Sequence, residues 1–280
     1  MSLKIGIIQL RGAGDALICL PIAKYFYNQG HEIYWTIDAA FHEAFKCAAP
    51  YVTFLPLQVE EKTIQSNIRN PYWFETPRQM LLDVGVDEVI SFPFEEIKHF
   101  EKIGMPERLI DPVPIRAKNL GLPFHTTFDQ FKYAACNVPF SEKWNLDIRR
   151  DLKREQNLFE SLMWGNENAY VVTHLEGSMG RIKYQADLTD FFNKMGLGNA
   201  KVIPITNKTN NIFDWITTIE RCSCFIGIDS FFVNLVDQMK IDIPKYFIRR
   251  SPVHFTPVLG GKWDYMPIKL ATDQPHELQF

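Results

Sequence analysis

The residues Arg11-Gly-Ala-Gly-Asp15 follow the apolar run Ile5–Leu10 and precede a helix-like stretch that begins at Ala16. A strand that enters a helix through a glycine turn places the turn outside the carboxyl end of the strand, where open α/β sheets hold their ligands. Gly12 and Gly14 permit a sharp turn and the close approach of a partner. Asp15 then has two uses: its carboxylate can take a proton from a hydroxyl, or it can cap the helix. A similar arrangement lies far downstream. In Cys224-Phe-Ile-Gly-Ile-Asp229-Ser230 an apolar strand meets two residue types favoured at a helix start, and a helix is expected over Phe231–Met239. Free amides and the positive end of the helix dipole seat phosphate. The plain alternative is that Asp229 or Ser230 only caps the helix.

These turns need strands and helices to hold them. Strand patterns fall at Ile5–Leu10, Glu32–Ile37, Val52–Pro56 and Glu88–Phe92, and helix patterns at Asp15–Asn28, Ala39–Cys47, Thr76–Leu82 and Asp111–Leu120. Between Phe124 and Asp151 the pattern loosens into what reads as a linker, and a charged amphipathic helix follows over Asp151–Trp164. A second run then begins: strands Tyr170–His174, Lys201–Ile205, Phe225–Ile228 and Lys245–Ile248, with helices Tyr184–Met195, Ile212–Arg221 and Phe231–Met239. Such alternation argues for parallel sheets covered by helices. An α/β chain with two Rossmann-like domains facing a central cleft is the simplest architecture, divided as 1–145 and 146–280.

Composition excludes several classes. The chain has 280 residues, is 46% hydrophobic and 22% charged, and carries a net charge of −3. That is ordinary for a globular protein with a sizeable core, and bulk charge gives no reason to expect nucleic acid as a partner. No apolar run approaches the roughly 20 residues that a membrane-spanning helix needs. Arg11 and Asp15 interrupt the first apolar stretch, against an export signal. The five scattered cysteines form no zinc pattern, so no metal site is expected, and a reducing cytoplasm is the expected compartment.

Taken together, three stretches resemble the GT-B glycosyltransferases, and within them glycosyltransferase family 9, the heptosyltransferase-like enzymes of lipopolysaccharide assembly. Ile7-Ile-Gln-Leu-Arg-Gly-Ala-Gly-Asp15 with Leu20-Pro21 resembles the family's opening strand and turn. Val171-Val-Thr-His-Leu-Glu-Gly-Ser178 with Arg181-Ile-Lys183-Tyr184 is similar to its second-domain strand, loop and lysine. Cys224-Phe-Ile-Gly-Ile-Asp229-Ser230 resembles its strand ending in Asp-Ser or Asp-Thr at a helix.

The resemblance implies an inverting, metal-independent transferase that takes no cofactor. Its donor would be an ADP- or UDP-linked sugar, a heptose or similar, and its acceptor a glycan or glycolipid. Such an acceptor leaves peripheral contact with a membrane open. The first domain would hold the acceptor and the second the donor. Asp15 takes the place of the proposed base, with Gly12, Gly14 and Arg11 forming the acceptor-side turn. Lys183, Asp229, Ser230, Ser178, Thr206, Phe231 and Asn234 take donor-side places.

The sequence departs from the family where Phe231-Phe232 replaces a small residue and Asn234 a histidine, and where only Asp264–Phe280 remains for a returning C-terminal helix. Those departures keep two alternatives open: a non-catalytic relative that binds nucleotide or glycan, and a nucleotide-sugar epimerase or hydrolase. Among the remaining residues, His174 ends a strand in the cleft, where a structural histidine is the commoner reading. Arg249, Arg250 and His254 follow the last strand and could face the donor, although a solvated loop is the readier reading. Trp73 offers a ring on which a sugar could stack.

Overall fold

The computed structural model describes residues 2–10, 12–58, 75–92, 126–163, 169–177, 180–181, 187–249 and 256–266. The first half builds a sheet from β1 (Lys4–Ile8), β2 (Glu32–Asp38), β3 (Val52–Leu57) and β4 (Glu88–Ser91). Their order is β3-β2-β1-β4, and every pairing is parallel. Helices α1 (Ala13–Asn28), α2 (Ala39–Ala48) and α3 (Glu75–Asp83) connect and cover these strands. The expected helix at Asp111–Leu120 lies outside the described residues.

The second half builds another sheet from β5 (Tyr170–His174), β8 (Lys201–Pro204), β9 (Cys224–Ile228), β10 (Lys245–Ile248) and β11 (Asp264–Tyr265). Its order is β11-β10-β9-β5-β8, again parallel throughout. A small antiparallel hairpin, β6 (Glu176–Gly177) and β7 (Gly180–Arg181), follows β5. Central β9 is buried along its whole length, which explains its unbroken apolar sequence. The helices are α5 (Leu152–Met163), α6 (Asp187–Lys194), α7 (Ile216–Glu220) and α8 (Phe231–Gln238). The single helix expected over Ile212–Arg221 is split: Ile212–Trp215 is 3-10, and α7 continues from it.

The segment expected to be a linker is structured. It contains α4 (Phe128–Ala135) and a 3-10 turn, Phe140–Trp144. The N–H of Thr127 donates to Gln130 Oε1 at 3.0 Å, the reciprocal half of a capping box. Lys143 and Asp129 form a fully buried ion pair at 2.7 Å, and the Val258 N–H donates to the same Asp129 oxygen at 2.9 Å. This pair ties α4 and the 3-10 turn to the 256–266 segment. One large apolar cluster runs through both halves. At its centre Phe45 of α2, Phe213 and Phe231 meet edge to face, with ring centroids 5.4–6.5 Å apart.

Candidate functional site at the paired helix starts

The chain leaves β1 through Gln9 and Leu10 and turns at Gly12, whose φ of 76° is the left-handed conformation that glycine adopts without strain. Helix α1 begins at Ala13 with no side chain capping it, so Asp15 does not act as a cap. Asp15 Oδ1 instead meets Lys132 Nζ at 2.8 Å, and Lys132 also donates to Gln9 Oε1 at 2.6 Å. The lysine side chain is only 9% exposed, whereas Asp15 is 41% exposed. The carboxylate therefore neutralises a buried cation and still reaches solvent. Phe92 lies under the ammonium at 5.2 Å.

The other turn arrives at the same place. A Cβ built on Gly14 would stand 3.3 Å from the Phe231 backbone N and 3.4 Å from its Cα. The first turns of α1 and α8 thus begin in contact, and a side chain at 14 would press on the Phe231 backbone. Two positive helix ends facing each other repel unless negative charge sits near them. Asp15 supplies part of that charge, and Lys132 takes much of it back.

At the start of α8, Ser230 occupies the N-cap position with extended backbone but caps nothing. Its Oγ lies 2.9 Å from His174 Nδ1, and the imidazole packs on Phe232 with centroids 4.8 Å apart. Asn234 donates from Nδ2 to the Ser230 carbonyl at 3.0 Å. Asp229 immediately precedes Ser230, and its carboxylate oxygens are shielded from solvent. Thr206 is exposed just beyond the end of β8. Since β9, β5 and β8 are adjacent and parallel, Ser230, His174 and Thr206 share the carboxyl edge of the second sheet.

Of the residues expected at the site, Gly12, Gly14 and Asp15 gather at one turn, with Asp229, Ser230 and Asn234 at the other. The ring of Phe231 is buried between Phe45 and Phe213, as core beneath the start of α8. Arg11, Ser178, Lys183, Arg250, His254 and Trp73 lie outside the described residues. Lys132 and Gln9 are the additions. A lysine is a poor signal of burial, because lysines are ordinarily on the surface.

Three buried thiols, Cys19, Cys222 and Cys224, are held in their neutral form. Burial pushes Cys19 up to about 12, although Lys132 acts in the opposite direction. Burial likewise pushes Cys222 up to about 12 and Cys224 to about 11. Among the described residues no group of His, Cys, Asp and Glu could hold a metal ion, and no helix is long and apolar enough to cross a membrane. An open cavity of about 950 Å³, lined by Trp144, Pro244 and Lys245, lies at the amino end of β10, the opposite sheet edge from Ser230.

No protein-family model and no curated protein matches the chain. Solved structures do. The glycosyltransferase of family 9 from Veillonella parvula aligns with a TM-score of 0.60 at 13% identity, over 95% of this chain and 87% of that one. The chain has the fold of the family 9 glycosyltransferases. The ADP-heptose lipopolysaccharide heptosyltransferase II of E. coli aligns with a TM-score of 0.52 at 12% identity, over 95% and 90% of the two chains. The iron-containing dodecameric glycosyltransferase TibC of enterotoxigenic E. coli aligns at 0.50 and 12% identity, over 88% of this chain and 59% of its own. In this family 9 fold the two contacting turns come from different halves of the chain, one from each parallel sheet.

Proposed function

We propose that the chain is a glycosyltransferase that moves a sugar from a nucleotide diphosphate to a hydroxyl of a glycan or glycolipid, with inversion. The observation that carries this reading is the contact between the α1 and α8 turns at Gly14 and Phe231, which sets a solvent-reaching carboxylate beside an uncapped helix start. In the reaction, the acceptor oxygen forms a bond to the anomeric carbon. The bond from that carbon to the diphosphate oxygen breaks, and its electron pair leaves with the diphosphate. The acceptor proton passes to Asp15. The amides of α8 and the Ser230 hydroxyl take up the charge of the leaving group. Lys183, Ser178 and Thr206 complete the donor side in this reading.

Residues 1–145 would hold the acceptor and 146–280 an ADP- or UDP-linked sugar, heptose being the leading candidate, across a cleft of GT-B type. The reaction would need neither metal nor cofactor and would run in the cytoplasm, beside a membrane where the acceptor is a lipopolysaccharide precursor. One observation favours a second reading. Asp15 already neutralises buried Lys132, and in a non-catalytic relative that ion pair would be its whole role.

Calorimetry with ADP, UDP, GDP and CMP, with and without divalent metal, tests the assignment. Micromolar binding of one nucleotide, weakened by Lys183→Ala, is expected. Folded protein that binds none of the four would overturn the transferase reading.

A further inference from the structure

Serine is among the residues most favoured at a helix start, because its oxygen accepts from the amides of the first turn. Ser230 has the extended backbone suited to that role, with φ −163° and ψ 173°, and does not perform it. His174, projecting from the end of β5, holds the hydroxyl instead, with Nδ1 2.9 Å from Oγ. The histidine is itself fixed by its contact with the Phe232 ring. Gly14 covers the Phe231 amide. The amides a serine cap would take are those of Phe232 and Val233, and no side chain caps them.

A second polar group at this turn is also unspent. Asn234 is 4% exposed, and its side chain points back along the helix to the Ser230 carbonyl. Its Oδ1 has no partner among the described residues. A buried acceptor without a donor is costly, and it leaves the turn short of a partner that the described residues do not supply.

We propose that His174 is a positioning residue that keeps the start of α8 open for a diphosphate by withholding the Ser230 hydroxyl from it. This rests on the donor site described under Proposed function. A self-capping serine and a bound phosphate compete for the same amides. With its proton on Nδ1, the imidazole donates to Oγ, and the hydroxyl hydrogen remains free for a phosphate oxygen.

The test is a double-mutant cycle read with ADP, or with UDP if that is the nucleotide the wild type binds. His174→Phe keeps a ring on Phe232 and removes Nδ1, so Ser230 turns to cap the helix. ADP binding is expected to weaken about fivefold, the equilibrium equivalent of an ordinary cap. In a Ser230→Ala background the same His174→Phe change should cost nothing, because no hydroxyl is left to compete. Equal effects in both backgrounds, or no effect in either, would overturn the proposal.

Amide hydrogen exchange decides the point without any ligand. Exchange at Phe232 and Val233 should slow about fivefold in His174→Phe; unchanged exchange sinks the positioning role. If wild-type protein binds none of ADP, UDP, GDP and CMP, the donor-site reading fails while the exchange result still decides whether His174 withholds the cap. His174→Leu serves the same measurements should the phenylalanine variant not fold.

Discussion

Lys132 Nζ lies 2.8 Å from Asp15 Oδ1, and the lysine is the more buried partner. This asymmetry decides how Asp15 must be probed. Alanine at 15 would leave a buried ammonium without its counter-charge, so activity and stability would fall together whatever the role of Asp15. Asp15→Asn keeps the shape and an acceptor oxygen for Lys132. We expect Asp15→Asn to abolish sugar transfer while nucleotide affinity stays within about twofold. Its stability should fall by about 2 kcal/mol in chemical denaturation, a value discounted for the solvent exposure of Asp15. Adding Lys132→Met should recover most of that stability and none of the activity. Transfer that persists in Asp15→Asn would assign Asp15 to the ion pair alone.

That pair also shows where sequence reading stops. Strands β5 and β10 are legible to the residue, because each is built around a short apolar run, Tyr170–Val172 and Tyr246–Ile248. Helix α4 is not. Its buried residues include Asp129 and Lys132 beside Phe131 and Tyr133, and charged residues are ordinarily read as surface. The partners that make those charges tolerable, Lys143 and Asp15, come from elsewhere in the chain. The Thr127-Phe-Asp-Gln130 spelling of a capping box was the local signal for this helix. The two turns were legible separately, through their glycines and Asp-Ser. Their contact was not, since it depends on how the two sheets pack.

Phe231 tests whether the turn at the start of α8 rests on core packing. Its ring lies against Phe45 of the first half and Phe213 of the second. Phe231→Ala should cost about 3–5 kcal/mol, as for other buried phenylalanines. Phe231→Leu should cost about 1 kcal/mol, retain most of the volume and leave nucleotide affinity little changed. A leucine variant of normal stability that fails to bind nucleotide would return the ring to the donor site.

Gly14 tests the contact between the turns. Alanine is intrinsically preferred over glycine inside a helix by about 1 kcal/mol. Here the added carbon would meet the Phe231 backbone at 3.3 Å, and backbone cannot rotate aside. Gly14→Val should therefore destabilise the fold by about 2 kcal/mol and weaken nucleotide binding as well. Gly30→Ala is the control. Its Cβ meets nothing, so its cost comes from the positive φ of 89° alone, and nucleotide binding should be unaffected. Equal loss of binding in both variants would separate the site from this contact.

Asp237 tests the far end of α8 through pH. Its carboxylate accepts from Trp144 Nε1 at 2.8 Å, the Gly260 N–H at 3.1 Å and Trp263 Nε1 at 2.9 Å. Burial nonetheless pushes the carboxyl above its ordinary value of 3.8, because three donors and Lys143 offset the desolvation only in part. A raised value in the folded state means that folding favours the protonated form. The contribution is complete below the unfolded value and is lost as pH rises through the folded one. The stability of wild type relative to Asp237→Asn should thus be greatest below about pH 4 and decline as pH rises through the raised folded value, read from urea midpoints. A relative stability that grows with pH would mean that the three donors outweigh burial, and that Asp237 is held charged in the folded protein.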